Sequence, residues 1–477
     1  MKFTNRIKGF NKLFWASNTM ELFERWAYYG IFLVIALYLT GPKETGALEF
    51  TQSQKGWLMG IVTAVLYFLP LFTGAIADKI GYKKSLLASQ VILSTGYAML
   101  GYFTSFHGVF IAFLYVAIGA ALFKPIIAAT IAKTTTTETS SLGFGIYYMI
   151  INIGGFIGPA VASKLREHNW HYVFLGSALA ICANIIILFF FYKEPIKEEK
   201  KETLGATLKT IAKNSFHVFG DLKLVILLII IIGFWSVFWQ LYYTIPNFID
   251  QWANTSPVYN AIAEQSSFLA HIIGNGKSEI SPEMIVNIDA ACIILFQIIV
   301  SNYSSRLKPL YGILAGLCVN SFAMFLAVYT NNVWLVMLSI AIAAFGEMMS
   351  SPRIIEYLGR IAPEGRTAAY IGSSYMPMAI GSLIAGFLSG SVYKSLSDKF
   401  SLLRKEFVSM FPSTPVPKGN TELMTLFTQK SGLSVEKVNQ LLWIKYQPYH
   451  IAYIFLSIGA LTAVLLVIYD RVLIKQK

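Results

Sequence analysis

Long apolar runs almost free of charge recur along the chain, each near the ~20 residues a helix needs to cross a bilayer. Twelve such runs are read, with approximate cores at 15–39, 54–77, 85–104, 108–132, 143–163, 171–192, 224–246, 285–302, 309–329, 333–352, 367–393 and 449–469. They predict an all-α membrane protein with twelve transmembrane helices. Six spans, a basic connection and six more divide the chain into an N-terminal lobe at 1–192, a linker at 193–223 and a C-terminal lobe at 224–477. The linker turns amphipathic around 204–219, which predicts a segment lying on the inner membrane face and tying the halves together. Its first dozen or so residues read equally well as a solvated connection. Two larger outer segments, about 247–284 and 394–448, carry polar and Pro-rich stretches such as Pro412–Pro417, and no chemistry is assigned to them.

Composition agrees with the pattern. Of the 477 residues, 55% are hydrophobic and only 13% charged, against about 25% charged in soluble proteins; mean hydropathy is +0.58. The net charge of +13 invites a nucleic-acid reading, but its placement argues for a membrane surface. Counted from a cytosolic N-terminus, Lys79, Lys83 and Lys84, the linker lysines, Arg306, Lys308, Arg360, Arg366 and Arg471 all fall inside, whereas the short outer loops are poor in base. This positive-inside pattern predicts a multi-pass protein of the cell membrane with both termini cytosolic, and no nucleic-acid partner. The first apolar run lacks a small-residue cleavage site and is expected to stay as a helix. Cys182, Cys292 and Cys318 fall inside spans and suggest neither disulfides nor a metal site.

The informative departure from this apolar pattern lies in span 1. Glu21, Glu24 and Arg25 stand at i, i+3 and i+4, on one helix face, so they can meet as a single cluster at membrane depth. Ionisable groups there cost several kcal/mol and mark ion or substrate pathways. Two carboxylates and one guanidinium leave one unpaired negative charge. Repulsion and desolvation both favour a protonated carboxyl, the chemistry of a proton-coupled carrier. Glycines Gly154, Gly155 and Gly158 in span 5 and Gly372, Gly381 and Gly386 in span 11 suit tight helix packing.

After span 2, Gly74-Ala75-Ile76-Ala77-Asp78-Lys79-Ile80-Gly81-Tyr82-Lys83-Lys84 resembles the G-x-x-x-D-[RK]-x-G-x-[RK]-[RK] loop of the major facilitator superfamily. Asp78 would face the positive N-terminus of a helix in the other lobe, with span 11 the candidate. Within that superfamily, Glu21-Leu22-Phe23-Glu24-Arg25-Trp26-Ala27-Tyr28-Tyr29-Gly30 resembles the E-x-x-E-R-F-x-Y-Y-G signature of the proton-dependent oligopeptide transporter (POT/PTR) family. Tyr147-Tyr148-Met149-Ile150-Ile151-Asn152-Ile153-Gly154 is similar to its span-5 motif, Phe123-Lys124-Pro125 to its Lys-Pro site, and Gly346-Glu347-Met348-Met349-Ser350-Ser351-Pro352 to its span-10 segment. Tyr67 with Pro70 fits its second helix.

The resemblance implies the major facilitator fold, two six-helix lobes, and proton-coupled symport of di- and tripeptides. It places Glu21, Glu24, Arg25 and Lys124 in proton coupling. Tyr28, Tyr29, Tyr67, Asn152 and Trp239 would line the pocket, Lys124 would meet the peptide carboxylate, and Glu347 would hold the amino group. Asp78 and Arg353 are read as gating or structural, Arg353 by pairing with Glu356. No cofactor is expected beyond the proton gradient; the partners are a small peptide or peptide-like substrate, protons and the bilayer, and a monomer suffices.

The departures from the family pattern are informative. Phe32 stands where the family usually carries an Arg for the peptide carboxylate, and Phe238-Trp239-Gln240 replaces its F-E-Q triplet in span 7. Ser374 replaces a common Trp in span 11, and the linker is too short for the family's two extra helices. Asp289 either partly replaces the missing span-7 acid or sits exposed to water near the outer end of its helix. A carrier of another small amphoteric solute, such as an amino-acid derivative or peptide-like metabolite, is the alternative function. Intact Glu21, Glu24, Arg25, Lys124 and Glu347 speak against a transport-dead sensor. An enzyme is not expected: His168 and His171 form the one i, i+3 histidine pair, and no nucleophile elbow or H-E-x-x-H motif occurs.

Overall fold

The computed structural model describes residues 9–136, 139–194, 205, 220–304, 306–364 and 366–474, and among them regular structure is helical apart from one isolated bridge between Gly274 and Ile280. The first lobe comprises α1 (Lys12–Phe32), α2 (Gln52–Phe68), α3 (Pro70–Ile80), α4 (Tyr82–Tyr102), α5 (Phe106–Thr134), α6 (Ser140–His168) and α7 (Trp170–Phe190). The second contains α8 (Leu222–Phe238), α9 (Ile288–Ser304), α10 (Pro309–Tyr329), α11 (Val333–Ile361), α12 (Tyr375–Phe387), α13 (Lys399–Met410), α14 (Asn420–Ser431), α15 (Val435–Tyr446) and α16 (Ile451–Ile468). With α2 and α3 forming one span and the 12-residue helices α13 to α15 too short to cross, these are twelve transmembrane helices in two six-helix lobes. Among the described residues, eleven helices are long and apolar enough to cross a membrane on composition alone. The twelfth, α4, carries Lys83, Lys84, Gln90 and several hydroxyls, yet its 21 residues reach about 31 Å, the thickness of a bilayer core.

Helix ends follow local chemistry. Asn11 Oδ1 accepts from the Phe14 amide at 2.8 Å to start α1, and Thr51 with Gln54 forms a capping box on α2. Pro70 lacks an amide hydrogen, so the second span breaks between α2 and α3. Span 1 likewise turns at Leu33–Val34 before continuing as Ile35–Thr40, and span 11 turns at Ser373–Ser374 between Thr367–Gly372 and α12. These breaks border the space between the lobes.

Within the first lobe α1 packs on α6 and α7, and α4 on α5 and α7; in the second, α10 packs on α11 and α16, and α8 on α12 and α16. Small residues permit the closest approaches. A Cβ on Gly154 of α6 would lie 2.7 Å from Arg25 Cβ, so this glycine lets α6 cross directly over the charged turn of α1. The amphipathic linker stretch lies outside the described residues. Its ends are anchored: Glu194 accepts from the amides of Tyr82 and Lys83, each at 2.7 Å, and Asp221 accepts from the Tyr370 hydroxyl at 2.7 Å.

The 394–448 segment holds three helices, α13 to α15, around buried Leu403, Phe407, Leu423, Phe427 and Leu442. It caps the end of the molecule opposite the Asp78 turn. There the lobes are joined by a ladder of polar contacts. Gln52 Nε2 donates to Asp398 Oδ1 at 3.0 Å, Lys55 Nζ to the Tyr243 carbonyl at 2.8 Å, and the Tyr243 hydroxyl to the Met59 carbonyl at 3.0 Å. Arg166 pairs with buried Glu283 at 2.9 Å, and Asn287 Nδ2 donates to the Phe156 carbonyl at 2.8 Å. The broadest contact between lobes, α2 against α12, belongs to the same closure. Between the lobes, cavity-lining Tyr148 and Ile355 are 43% and 49% exposed, so the cavity opens away from the capped end.

Candidate functional site

The span-1 cluster forms as its spacing predicts. Glu21, Glu24 and Arg25 are 2%, 0% and 4% exposed. Arg25 Nε lies 3.2 Å from Glu21 Oε1 and donates to Glu24 Oε2 at 2.5 Å, while its terminal amine also pairs with Glu24. One guanidinium thus holds two carboxylates. Glu21 Oε2 and Glu24 Oε1 find no hydrogen-bond partner, so the surplus negative charge is both buried and incompletely solvated, which is costly.

Aromatic faces extend the cluster toward α5. The Arg25 guanidinium lies 5.1 Å from the Tyr28 ring centre and 5.9 Å from that of Tyr29. Lys124 Nζ sits 5.6 Å from Tyr28 and 4.8 Å from Tyr67. Tyr28 is therefore shared by two cations, and Lys124 feels the charges of Arg25, Glu24 and Glu21. The structure brings together Glu21, Glu24, Arg25, Lys124, Tyr28, Tyr29 and Tyr67.

Between the lobes is a cavity of about 1010 Å³. Tyr28, Tyr29, Phe32 and Tyr67 line it from the first lobe, and Trp235, Phe238, Trp239, Tyr242 and Glu347 from the second. Phe32 stacks on Tyr28 at 5.1 Å and reaches Tyr242 at 5.4 Å and Trp239 at 6.1 Å. Where an Arg would have presented a charge, the lobes meet through rings. Trp239 packs on Tyr67 at 5.4 Å, and its indole nitrogen donates to the Met378 carbonyl at 3.3 Å.

A second cavity, of about 420 Å³, adjoins the first across Tyr29, Tyr242 and Glu347, which line both. Asn152 and Asp289 line the second one. Asn152 Nδ2 donates to the Tyr148 carbonyl at 2.9 Å, one turn back, so its amide hydrogens are partly engaged in its own helix. Asp289 is only 5% exposed. The sequence alternative of a water-exposed Asp near a helix end is thereby corrected: the short helix Pro282–Val286 and the Asn287 turn precede α9, so Asp289 does not stand at a free helix end.

Neither cavity is lined by Glu21, Glu24, Arg25 or Lys124, which stand behind the rings of Tyr28 and Tyr67, nor by Asp78 or Arg353. Asp78 accepts from the Tyr82 hydroxyl at 2.9 Å. Arg353 pairs with Glu356, as its spacing suggests, and donates from Nε to Ser304 Oγ at 3.1 Å; Glu356 also takes Arg360 at 2.6 Å. Sequence reasoning missed Tyr148, Tyr242 and Tyr375 as wall residues. The signal was available for two of them: Tyr148 stands one turn before Asn152, and Tyr242 three residues past Trp239. It also missed Lys55, 0% exposed and latched across the lobes.

The family model described as Major Facilitator Superfamily matches residues 15–262. Among relatives in sequence, an uncharacterized transporter of Bacillus subtilis, YclF, is 26% identical over 171 residues, 35% of this chain and 35% of that protein. The peptide transporter YePEPT of Yersinia enterocolitica is 26% identical over 175 residues, 35% of this chain and 34% of that protein. These alignments span about a third of the relatives' length. A solved structure of a POT family transporter in complex with 5-aminolevulinic acid superposes with a TM-score of 0.68 at 16% identity, covering 97% of this chain and 98% of that one. The matched half of the sequence carries the whole span-1 cluster, Lys124 and the Asp78 turn, and the chain belongs to the major facilitator superfamily.

Proposed function

We propose that this protein is a proton-coupled symporter that imports di- and tripeptides across the cell membrane by alternating access, as a divergent relative of the POT family. The observation that carries the reading is the opposition of charges across one cavity: Arg25, Glu21 and Glu24 with Lys124 beside one wall, and Glu347 on the other. A zwitterionic peptide needs a cation at one end and an anion at the other. Lys124 and Glu347, one from each lobe, supply both and would draw the lobes together on binding. A substrate carboxylate that engages Lys124 weakens its hold on the glutamates, and their surplus negative charge is then neutralised by a proton. No cofactor is needed, a monomer suffices, and the role is that of a carrier and not an enzyme. With both termini cytosolic, the 394–448 cap lies outside, Asp78 and the Arg353–Glu356 pair lie inside, and the cavity opens inward.

The second reading, a proton-coupled carrier of another small amphoteric solute, draws support from Phe32 and Trp239. These rings make the site less cationic and more aromatic than a peptide carboxylate favours, and a structural neighbour is a POT family transporter in complex with 5-aminolevulinic acid.

Binding of dipeptides, tripeptides and amino acids to the purified protein, followed by thermal shift and calorimetry, separates the readings. Peptide-selective stabilisation supports the first; stabilisation by single amino acids or their derivatives alone supports the second. Lys124→Ala and Glu347→Ala are each expected to weaken binding about tenfold to a hundredfold, the loss of a charge-assisted hydrogen bond. Unaltered affinity in both would move the site elsewhere.

A further inference from the structure

The smaller cavity is lined by two carboxylates, Asp289 and Glu347, one more than a single amino group neutralises. Asp289 Oδ1, Glu347 Oε2 and Asn287 Oδ1 all lack a partner. Asp289 and Asn287 are 5% and 2% exposed, and the Asn287 amide is committed to the Phe156 carbonyl. Among the described residues, no basic side chain lines this cavity. A buried carboxylate without a counter-charge is unstable by several kcal/mol, so it either takes up a proton or pairs with a donor-rich cation. The rings of Tyr29 and Tyr242, on the boundary with the larger cavity, favour a cation as well.

We propose that Asp289, with Asn287, forms a second cation subsite behind Glu347, and that it selects substrates bearing two ammonium groups. This rests on the peptide-carrier reading. Glu347, lining both cavities, takes the substrate's α-amino group. The side chain of the first residue then extends into the smaller cavity and places its terminal ammonium against Asp289. Peptides that begin with lysine or ornithine fit this arrangement.

The discriminating comparison is between lysyl-alanine and norleucyl-alanine, which differ at the chain end by an ammonium in place of a methyl. With the full-length protein in detergent, calorimetry is expected to give at least tenfold tighter binding of the lysyl peptide, one charge-assisted hydrogen bond. In Asp289→Asn the ratio is expected to fall to about twofold or less. Equal affinities in the wild-type protein, a comparison that depends on no variant folding, would overturn the subsite. So would a sodium-induced stabilisation that Asp289→Asn removes, since the occupant would then be a metal cation. If no peptide binds but 1,4-diaminobutane does, and Asp289→Asn abolishes it, the subsite stands and the peptide reading falls. If neither peptides nor the diamine bind, both fall.

Discussion

Glu24→Gln is expected to abolish proton-driven accumulation while leaving exchange of substrate across the membrane in place. Glu24 is fully buried and takes two donors from Arg25. Glutamine keeps the volume and one acceptor but removes the charge. Arg25 then pairs with Glu21 alone, the cluster becomes neutral, and no surplus charge remains to couple proton entry to the movement of the lobes. Arg25→Ala acts from the other side: it strands two carboxylates at membrane depth, where an unpaired charge is strongly unfavourable, and at least one is held neutral through the cycle. One proton moving down 100 mV supplies about 2.3 kcal/mol, roughly a fiftyfold accumulation. In proteoliposomes with an imposed gradient, either variant should bring substrate only to equal concentrations, while counterflow with preloaded substrate persists for Glu24→Gln. Full gradient-driven uptake by either variant would remove the cluster from the coupling step.

Gly56→Leu is expected to slow transport strongly without unfolding the protein. Gly56 of α2 faces the backbone of Gly386 and Gly390 in the other lobe; a Cβ there would lie 2.7 Å from Gly390 Cα and closer still to the Gly386 carbonyl. Backbone cannot yield as a flexible side chain does, so the clash is relieved by separating α2 from α12. Those helices belong to different lobes. Overpacking of this kind costs about 1–3 kcal/mol, which depopulates the cap-closed state roughly fivefold to a hundredfold. Uptake should drop by a similar factor, with helical content by circular dichroism unchanged. The same separation stretches the nearby Lys55–Tyr243 and Gln52–Asp398 contacts. A wild-type uptake rate in Gly56→Leu would show that this contact does not have to form during the cycle.

Much of the architecture was legible in the sequence because hydrocarbon imposes long, apolar, self-satisfied helices. The twelve spans, the Glu21–Glu24–Arg25 face and the Arg353–Glu356 pair all follow from local spacing, and all are present. The three interruptions were not legible as breaks: Leu33–Val34 carries no glycine or proline, Gly372 beside Ser373 reads as readily as a packing residue, and Pro70 alone does not distinguish a kink from a break. The helices of 394–448 escaped because polar surface helices resemble loops when only membrane apolarity is sought. Asp289 and Lys55 were opaque for a related reason. Each stands in the first turn or two after a polar helix start, where sequence suggests water, and each is buried by a partner distant in the chain. Tyr375 looked like an ordinary membrane aromatic; only the crossing of the lobes turns it toward the same cavity as Tyr148 and Tyr242.

Proton movement itself is the most direct test of the coupling role assigned to the buried glutamates. Wild-type protein reconstituted into proteoliposomes containing a trapped pH-sensitive dye should acidify the lumen when a di- or tripeptide is added outside, with no response to buffer alone and none from Glu24→Gln. Peptide uptake that proceeds with no substrate-dependent proton flux would contradict that role.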